Sequence, residues 1–340
     1  MRETRPRTAG RHFLQIPGPS NVPDRILSAM ARPTIDHRGP AFAEMTRRIL
    51  GGLGPVFKTA DPVVLFPSSG TGAWEAALVN TLSRGDRVLA FETGQFAMGW
   101  KRVAERLGLQ VDWVEGDWRR GVDPSDAESR LRADVSHRIK AVLVVHNETS
   151  TGCTSRVHEI RQAMDAADHP ALLLVDTVSS LGSMDYRHDD WGVDVTVCGS
   201  QKGLMLPPGL AMNAVSAKAL EASASAGLPR SYWDWAPVLD FNERGFFPYT
   251  PPTNLLYGLE TALDMMEEEG LDRIFARHER LAEATRTAVA AWGLDLCCVE
   301  PAEYSSSLTA VWMPDGHDAD APRRSRSRVG SCRRSCRGVH

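Results

Sequence analysis

Short apolar runs alternate with helical patterns through the middle of this 340-residue chain. Residues 63–66 form an apolar run ending in Pro67-Ser68-Ser69-Gly70, and a helical pattern follows over 73–82. Residues 87–91 predict a second strand and 100–107 a helix. Residues 141–146 predict a third strand, followed by a helix over 157–167. Two more strands are expected at 171–176 and 193–198. These runs are nearly continuous rather than alternating, as a sheet covered by helices on both faces requires. Alternating strand and helix units predict a mostly parallel α/β sheet. After Pro252 the pattern changes. Residues 255–269 read as one amphipathic helix stopped at Gly270, and 271–292 as a second stopped at Gly293. Strand-like stretches at 294–299 and 307–313 come next, the start of a second, smaller α+β unit. No internal repeat is visible.

Charge changes this picture only at the end of the chain. The formal net charge is −4, but residues 321–340 hold seven arginines and no acid. The rest carries 32 basic against 43 acidic residues, a net of −11. The expected organisation is an N-terminal arm over 1–22, a large domain over 23–254, a partial small domain over 255–316, and an aberrant, disordered Arg/Ser-rich tail over 317–340. The longest apolar runs, 141–145 and 171–175, are far short of the roughly 20 residues that span a bilayer, so no membrane association is expected. The arginine-bearing N-terminus is followed by no apolar segment of a secretory signal. None of the six cysteines forms a C-x-x-C pair, which removes support for a zinc ribbon or a thioredoxin-like motif and leaves no metal expected. So few scattered thiols point to a reducing compartment, the cytoplasm.

Ligands of open α/β sheets bind at the carboxyl ends of the strands, so the residues there are the candidates. The first strand is followed by Ser69-Gly70-Thr71-Gly72-Ala73, a glycine-bearing turn at a helix start. Such a turn is either only tight or an anion site suited to phosphate. It is not G-x-G-x-x-G or a P-loop. The fourth strand ends in Asp176, which either caps a local turn or partners a ligand cation such as a pyridinium. The fifth leads into Gly199-Ser200-Gln201-Lys202. Lysine is scarce here, five against 34 arginines, and one just past a buried strand either snorkels to water or serves as a Schiff-base amine. The third strand ends in His146-Asn147-Glu148-Thr149-Ser150-Thr151-Gly152. His146 alone reads more readily as a satisfied core histidine than as a catalyst. Phe96 reads as a core aromatic unless a planar ligand stacks on it. Together, a phosphate nest, a strand-end acid, a strand-end lysine and an aromatic are the parts that hold pyridoxal phosphate.

These residues, with Pro17-Gly18-Pro19-Ser20-Asn21-Val22-Pro23, Asp36-His37-Arg38 and Val175-Asp176-Thr177-Val178-Ser179-Ser180-Leu181-Gly182, resemble the class V aminotransferases of fold type I, in the serine–glyoxylate and alanine–glyoxylate group. The resemblance runs from about residue 13 to about residue 320, with the motifs in order. It implies a seven-stranded, mostly parallel sheet and pyridoxal 5'-phosphate as cofactor. It implies that Lys202 is the Schiff-base lysine and proton shuttle, and that Asp176 pairs with the pyridine nitrogen. Val178 and Phe96 would cover the two ring faces, and Thr149 would contact the ring hydroxyl. Gly70, Thr71, Gly72, Ala73 and Gln201 would bind the phosphate. The family forms homodimers with sites at the interface, so Thr250, in Phe247-Pro248-Tyr249-Thr250-Pro251-Pro252-Thr253, would reach the neighbour's phosphate. Gly18 would line the substrate pocket. The activity implied is amino transfer from serine, aspartate or alanine to glyoxylate.

One departure stands out. Relatives continue further and carry, in an R-I-G-H-like run, an arginine that clamps the substrate carboxylate. The arginines of the tail match no such run. A shift of reading frame near residues 317–322 would produce this tail; the competing reading is a basic element that binds nucleic acid or an acidic surface. Two further functions stay open at this point. One is a remnant that binds cofactor but cannot turn over. The other is a cysteine desulfurase-like lyase, disfavoured because Cys297 and Cys298 lie in a strand-like segment rather than on a loop.

Overall fold

The computed structural model describes residues 14–318. The Arg/Ser-rich tail, with its expected disorder and its two competing origins, falls almost wholly outside the described residues. In chain order the helices and strands are α1 (Asp24–Met30), α2 (Pro40–Phe57), β1 (Val63–Ser68), α3 (Gly70–Thr81), β2 (Arg87–Phe91), α4 (Gln95–Arg106), β3 (Gln110–Val114), α5 (Pro124–Ala133), β4 (Ile139–Val145), β5 (Asn147–Glu148), β6 (Cys153–Thr154), α6 (Val157–Ala166), β7 (Leu172–Asp176), β8 (Val195–Gly199), β9 (Gly209–Val215), α7 (Ala217–Ser225), α8 (Trp235–Glu243), α9 (Thr253–Glu269), α10 (Leu271–Ala291), β10 (Asp295–Leu296) and β11 (Val311–Trp312).

Seven strands form one sheet in the order β1-β9-β8-β7-β4-β2-β3. The β8, β7, β4, β2 and β3 ladder is parallel, while β9 runs antiparallel to both β8 and β1. Six strands therefore point one way, and their carboxyl ends share one edge. The α/β class expected from the alternating pattern is observed. The apolar runs at the third, fourth and fifth predicted strands become β4, β7 and β8, and β7 is buried along its whole length. A parallel strand with helices on both faces has no solvent side, so apolar residues at successive positions are all inside.

The elements that the pattern missed have local causes. Edge strand β3 carries Gln110 and Asp112 and is only half-buried. Strand β9 is fully paired but built largely from small residues and Asn213, which hide its β character. Helix α2 contains Gly51, Gly52, Gly54 and Pro55, which disguise an apolar stripe of Phe42, Met45, Ile49, Leu53 and Val56 at helical spacing. Helices α3 and α4 start earlier than predicted, at Gly70 and Gln95, so the glycine turn after β1 is itself the first turn of α3. Of the stretches 294–299 and 307–313, only the two-residue pair β10–β11 is strand, with Cys297 N–H donating to Ala310 O at 2.9 Å beside it. The apolar face of α9, with Leu256, Leu259 and Met266, joins the same buried cluster as the sheet. Ion pairs Arg25–Glu268 and Arg48–Glu260 tie α9 to α1 and α2. The change of pattern near residue 254 is thus not a break in the core. Among the described residues no helix is long and apolar enough to cross a membrane.

Central strand β7 carries Asp176 at its carboxyl end, so its packing is the place to test the fold. Leu174 is fully buried in it. Leu174→Ala is expected to destabilise the protein by about 2–5 kcal/mol, the cost of lost transfer energy plus a cavity. The check is the urea unfolding midpoint of the cofactor-free protein, which should drop with the slope unchanged.

Candidate active site

Strands β7 and β8 are parallel neighbours, so Asp176 and the turn after Gly199 emerge side by side. The backbone of Asp176 is held on both flanks. Its carbonyl accepts from His146 N–H at 2.9 Å, and the next amide, Thr177 N–H, donates to Val197 O at 2.8 Å. The first turn of α3 lies over the same edge, with Gly70 N 3.2 Å from the position a side chain on Gly199 would take. Three strand ends that are far apart in sequence therefore meet.

Asp176 is 4% exposed. Its Oδ2 accepts from the Trp74 indole Nε1 at 2.8 Å, and its Oδ1 from Val178 N–H at 2.7 Å. Burial raises its pKa to about 6 against these two donors. Val178 also packs against Gly70. A side chain at residue 70 would begin 2.5 Å from Val178 Cγ2, so close approach restricts this position to glycine.

Lys202 lies in a turn braced from below. Ser200 Oγ donates to Pro207 O at 2.8 Å and accepts from Leu210 N–H, and Met205 N–H donates to Lys202 O at 2.9 Å. The N-terminal arm lies across this turn from above. Ser20 N–H donates to Gln201 O at 2.9 Å and Ser20 Oγ to Lys202 O at 2.9 Å, while Lys202 Nζ donates to Pro17 O. Gly18 has φ +97°, and a side chain there would begin 2.5–2.6 Å from Lys202 Cδ, Cε and Nζ. Both the backbone and the space demand glycine. The expected pocket residue Gly18 thus packs directly on the lysine.

The α3 start has the features of an anion site. Ser69 makes no side-chain cap, so the first N–H groups of the helix face outward with the positive end of its dipole. Gly72 faces Ser68 and the Trp233 ring, and Thr71 is exposed. Ala73 departs from the expectation: it is buried, and its N–H is already donated to Ser69 O at 3.0 Å. Its part is to close the turn rather than to present a free N–H. Gln201 Oε1 is buried without a hydrogen-bond partner among the described residues.

Phe96 opens α4 and sits edge-on to Trp74, with centroids 6.4 Å apart. Sequence reasoning named Phe96 but not the group that fixes it. Glu148, fully buried at the end of β5, accepts from Phe96 N–H at 3.1 Å, Ala97 N–H at 3.2 Å and Ser150 Oγ at 2.7 Å. A carboxylate at a helix N-terminus suits the dipole, and burial nonetheless raises its pKa. Trp74 was also missed, since its partner Asp176 is 102 residues away. An indole one turn into a helix carries no sequence signal of its own. Thr149 is half-buried in the β5–β6 turn, close in sequence to this cluster. His146 is buried, pairs through Nδ1 with Ser180 Oγ at 2.9 Å, and is pushed by burial to about 4, so it stays neutral. Thr250 is exposed, one residue past Tyr249, whose hydroxyl donates to Leu65 O of β1. No contact among the described residues brings it onto the cluster.

The class V aminotransferase family model matches residues 13–323. The serine–glyoxylate aminotransferase of Methylorubrum extorquens is 50% identical over 319 residues, covering 92% of this chain and 79% of that protein. The L-aspartate–glyoxylate aminotransferase of Paracoccus denitrificans is 50% identical over 306 residues, covering 90% and 77%. The solved alanine–glyoxylate aminotransferase of Nostoc sp. superposes with a TM-score of 0.88 at 31% identity, over 96% of this chain and 86% of that one. The chain belongs to the class V aminotransferases. It is an aminotransferase of the fold type I architecture, and its cofactor is pyridoxal 5'-phosphate.

The residues fit this group. A buried carboxylate raised by desolvation, with lone pairs left beyond its two N–H donors, suits a cationic ring nitrogen. An uncapped helix start, whose first N–H groups have no side-chain cap, suits a phosphate.

Two substitutions test this geometry. Gly18→Ala would place a methyl group against Lys202 and strain a left-handed backbone by about 1–2 kcal/mol, enough to lower turnover about tenfold or more with little change in melting temperature. Steady-state kinetics beside thermal unfolding checks this. The second concerns Asp176: only its ionised form attracts a pyridinium, and it is ionised above about 6 and neutral below. The apparent Kd for pyridoxal phosphate should therefore rise as pH falls through that value. Asp176→Asn should bind more weakly and lose that part of the dependence. Spectral titrations of both proteins across the range around that pKa read the difference, and superimposable profiles would remove Asp176 from this role.

Proposed function

We propose that the chain transfers the amino group of a small amino acid (serine, aspartate or alanine) to glyoxylate, yielding glycine. The observation that carries this reading is the convergence of Lys202, Asp176 and the α3 start at one sheet edge, in a chain half identical to serine–glyoxylate and aspartate–glyoxylate aminotransferases. Bound pyridoxal phosphate supplies an electron sink for the carbanion left when the amino acid loses its α-proton. Lys202 Nζ holds the cofactor covalently at rest and moves the proton during transfer. Asp176 keeps the ring nitrogen protonated. Val178 and Phe96 bound the ring faces, Thr149 meets the ring hydroxyl, and Gly70, Thr71, Gly72 and Gln201 receive the phosphate. Gly18 and the arm cover the lysine and line the substrate side.

The working unit in this reading is a homodimer, in which Thr250 reaches the neighbour's phosphate; its exposure next to the anchored Tyr249 suits that part. Within residues 255–316, read as a partial small domain, α9 packs on the large core and the stretch beyond it is the small-domain part, and the location is cytoplasmic. A desulfurase-like reading gains no support from the four cysteines among the described residues. Cys153, Cys198 and Cys298 are buried, and Cys297 is half-buried with its Sγ directed at Trp118 O.

The test is a panel of serine, aspartate and alanine with glyoxylate, with glycine formation measured. Turnover by at least one donor is expected, and Lys202→Ala should lose about 10²–10⁴-fold, the usual contribution of a positioned acid–base group. A protein that binds cofactor but makes no glycine with any of the three would overturn the proposal in favour of a binding remnant.

A further inference from the structure

Trp74 is the only side chain that donates a hydrogen bond to Asp176 among the described contacts, and nothing about it follows from the family motifs. Its Nε1 lies 2.8 Å from Asp176 Oδ2. The indole is held by its neighbours. It stacks on Trp100 with centroids 6.0 Å apart and planes 14° from parallel, and Phe96 meets it edge-on. A side chain at residue 99 would touch its far rim at 3.3 Å. The residue is 6% exposed.

The chemistry of the donor matters as much as its position. An indole has one N–H and no acceptor. It can stabilise a carboxylate, but it cannot accept a proton from a neutral acid. Histidine or glutamine at this position could adapt to either state. Trp74 is also the fifth residue of α3, whose first turn is the anion site. One rigid helix therefore carries both the phosphate-facing N–H groups and the group that aims the carboxylate.

We propose that Trp74 is a positioning residue for the transamination, fixing the orientation and the negative charge of Asp176 and holding that carboxylate in register with the phosphate site. This rests on the reading of Asp176 as the partner of the cofactor's ring nitrogen. Through Asp176, the indole N–H affects how tightly the cofactor is held and at what pH.

The experiment compares Trp74→Phe with Trp100→Phe in the full-length protein. The first substitution keeps an aromatic ring in the stack but removes the N–H. Trp100→Phe alters the stack without removing a hydrogen bond, because Trp100 Nε1 is buried with no partner among the described residues. Hydrogen bonds to charged groups are strong enough that W74F should weaken pyridoxal phosphate binding about tenfold or more. Losing a donor to the ionised form favours the neutral acid, so the acid limb of the binding profile should also move to higher pH. W100F should change neither. Wild-type affinity and an unmoved limb in W74F would overturn the proposal, as would W100F reproducing both effects. Should W74F not fold, the indole N–H resonance of Trp74 in the wild-type protein, assigned against Asp176→Asn, decides the matter. It should move with the titration of Asp176, and a pH-independent resonance would overturn the proposal. If the wild-type protein fails to bind pyridoxal phosphate at all, the functional reading fails. If it binds and W74F binds equally, only this inference fails.

Discussion

Desolvating a carboxylate at the end of an apolar strand is expensive, and the groups around Asp176 reflect that cost. Two N–H donors take one oxygen each, the backbone on either side is locked into neighbouring strands, and an aromatic stack excludes water. The pKa still rises to about 6, so the protein alone compensates the charge only in part. This residual imbalance is what makes the edge receptive to a cation. The same site, filled by apolar residues, would stabilise the fold more and do nothing.

The parallel sheet makes such a site possible. With six strands pointing one way, the ends of β1, β7 and β8 open onto one edge, and the α3 dipole adds positive potential there. The reversed strand β9 lies between β1 and β8, and the α3 start that follows β1 still reaches the end of β8, with Gly70 N 3.2 Å from where a side chain on Gly199 would begin.

Much of this was legible in the sequence for a physical reason. Fully buried strands must be apolar throughout, so β4, β7 and β8 announce themselves, and polar residues at their ends stand out against that background. The strands that escaped notice lack this signature: β3 is an edge with Gln110 and Asp112, and β9 is small-residue rich. Contacts that depend on tertiary closeness were illegible. Nothing near Trp74 indicates Asp176, and nothing near Pro17 or Gly18 indicates Lys202, except likeness to a known family. Glu148 lay inside a motif that was recognised, yet its function as the anchor of α4 depends on a helix start 52 residues earlier. Ala73 shows the opposite limit, since the motif included it among phosphate ligands while its N–H is already used to close the helix.

The strap formed by the arm has a consequence for how the molecule is made. The bond from Lys202 to Pro17 joins residues 185 positions apart, and that from Trp74 to Asp176 joins residues 102 apart. Ribosomal synthesis delivers the arm first and the lysine turn long afterwards. Until β8 and its turn have left the exit tunnel, the arm has no surface to settle on and β7 lacks its neighbour on one side. Contacts of such span close slowly, because loop entropy must be overcome before they reward the chain. The edge that carries Asp176 and Lys202 is therefore one of the last parts of the protein to take shape, and a nascent chain stalled before β8 would present an unpaired β7 edge to its neighbours.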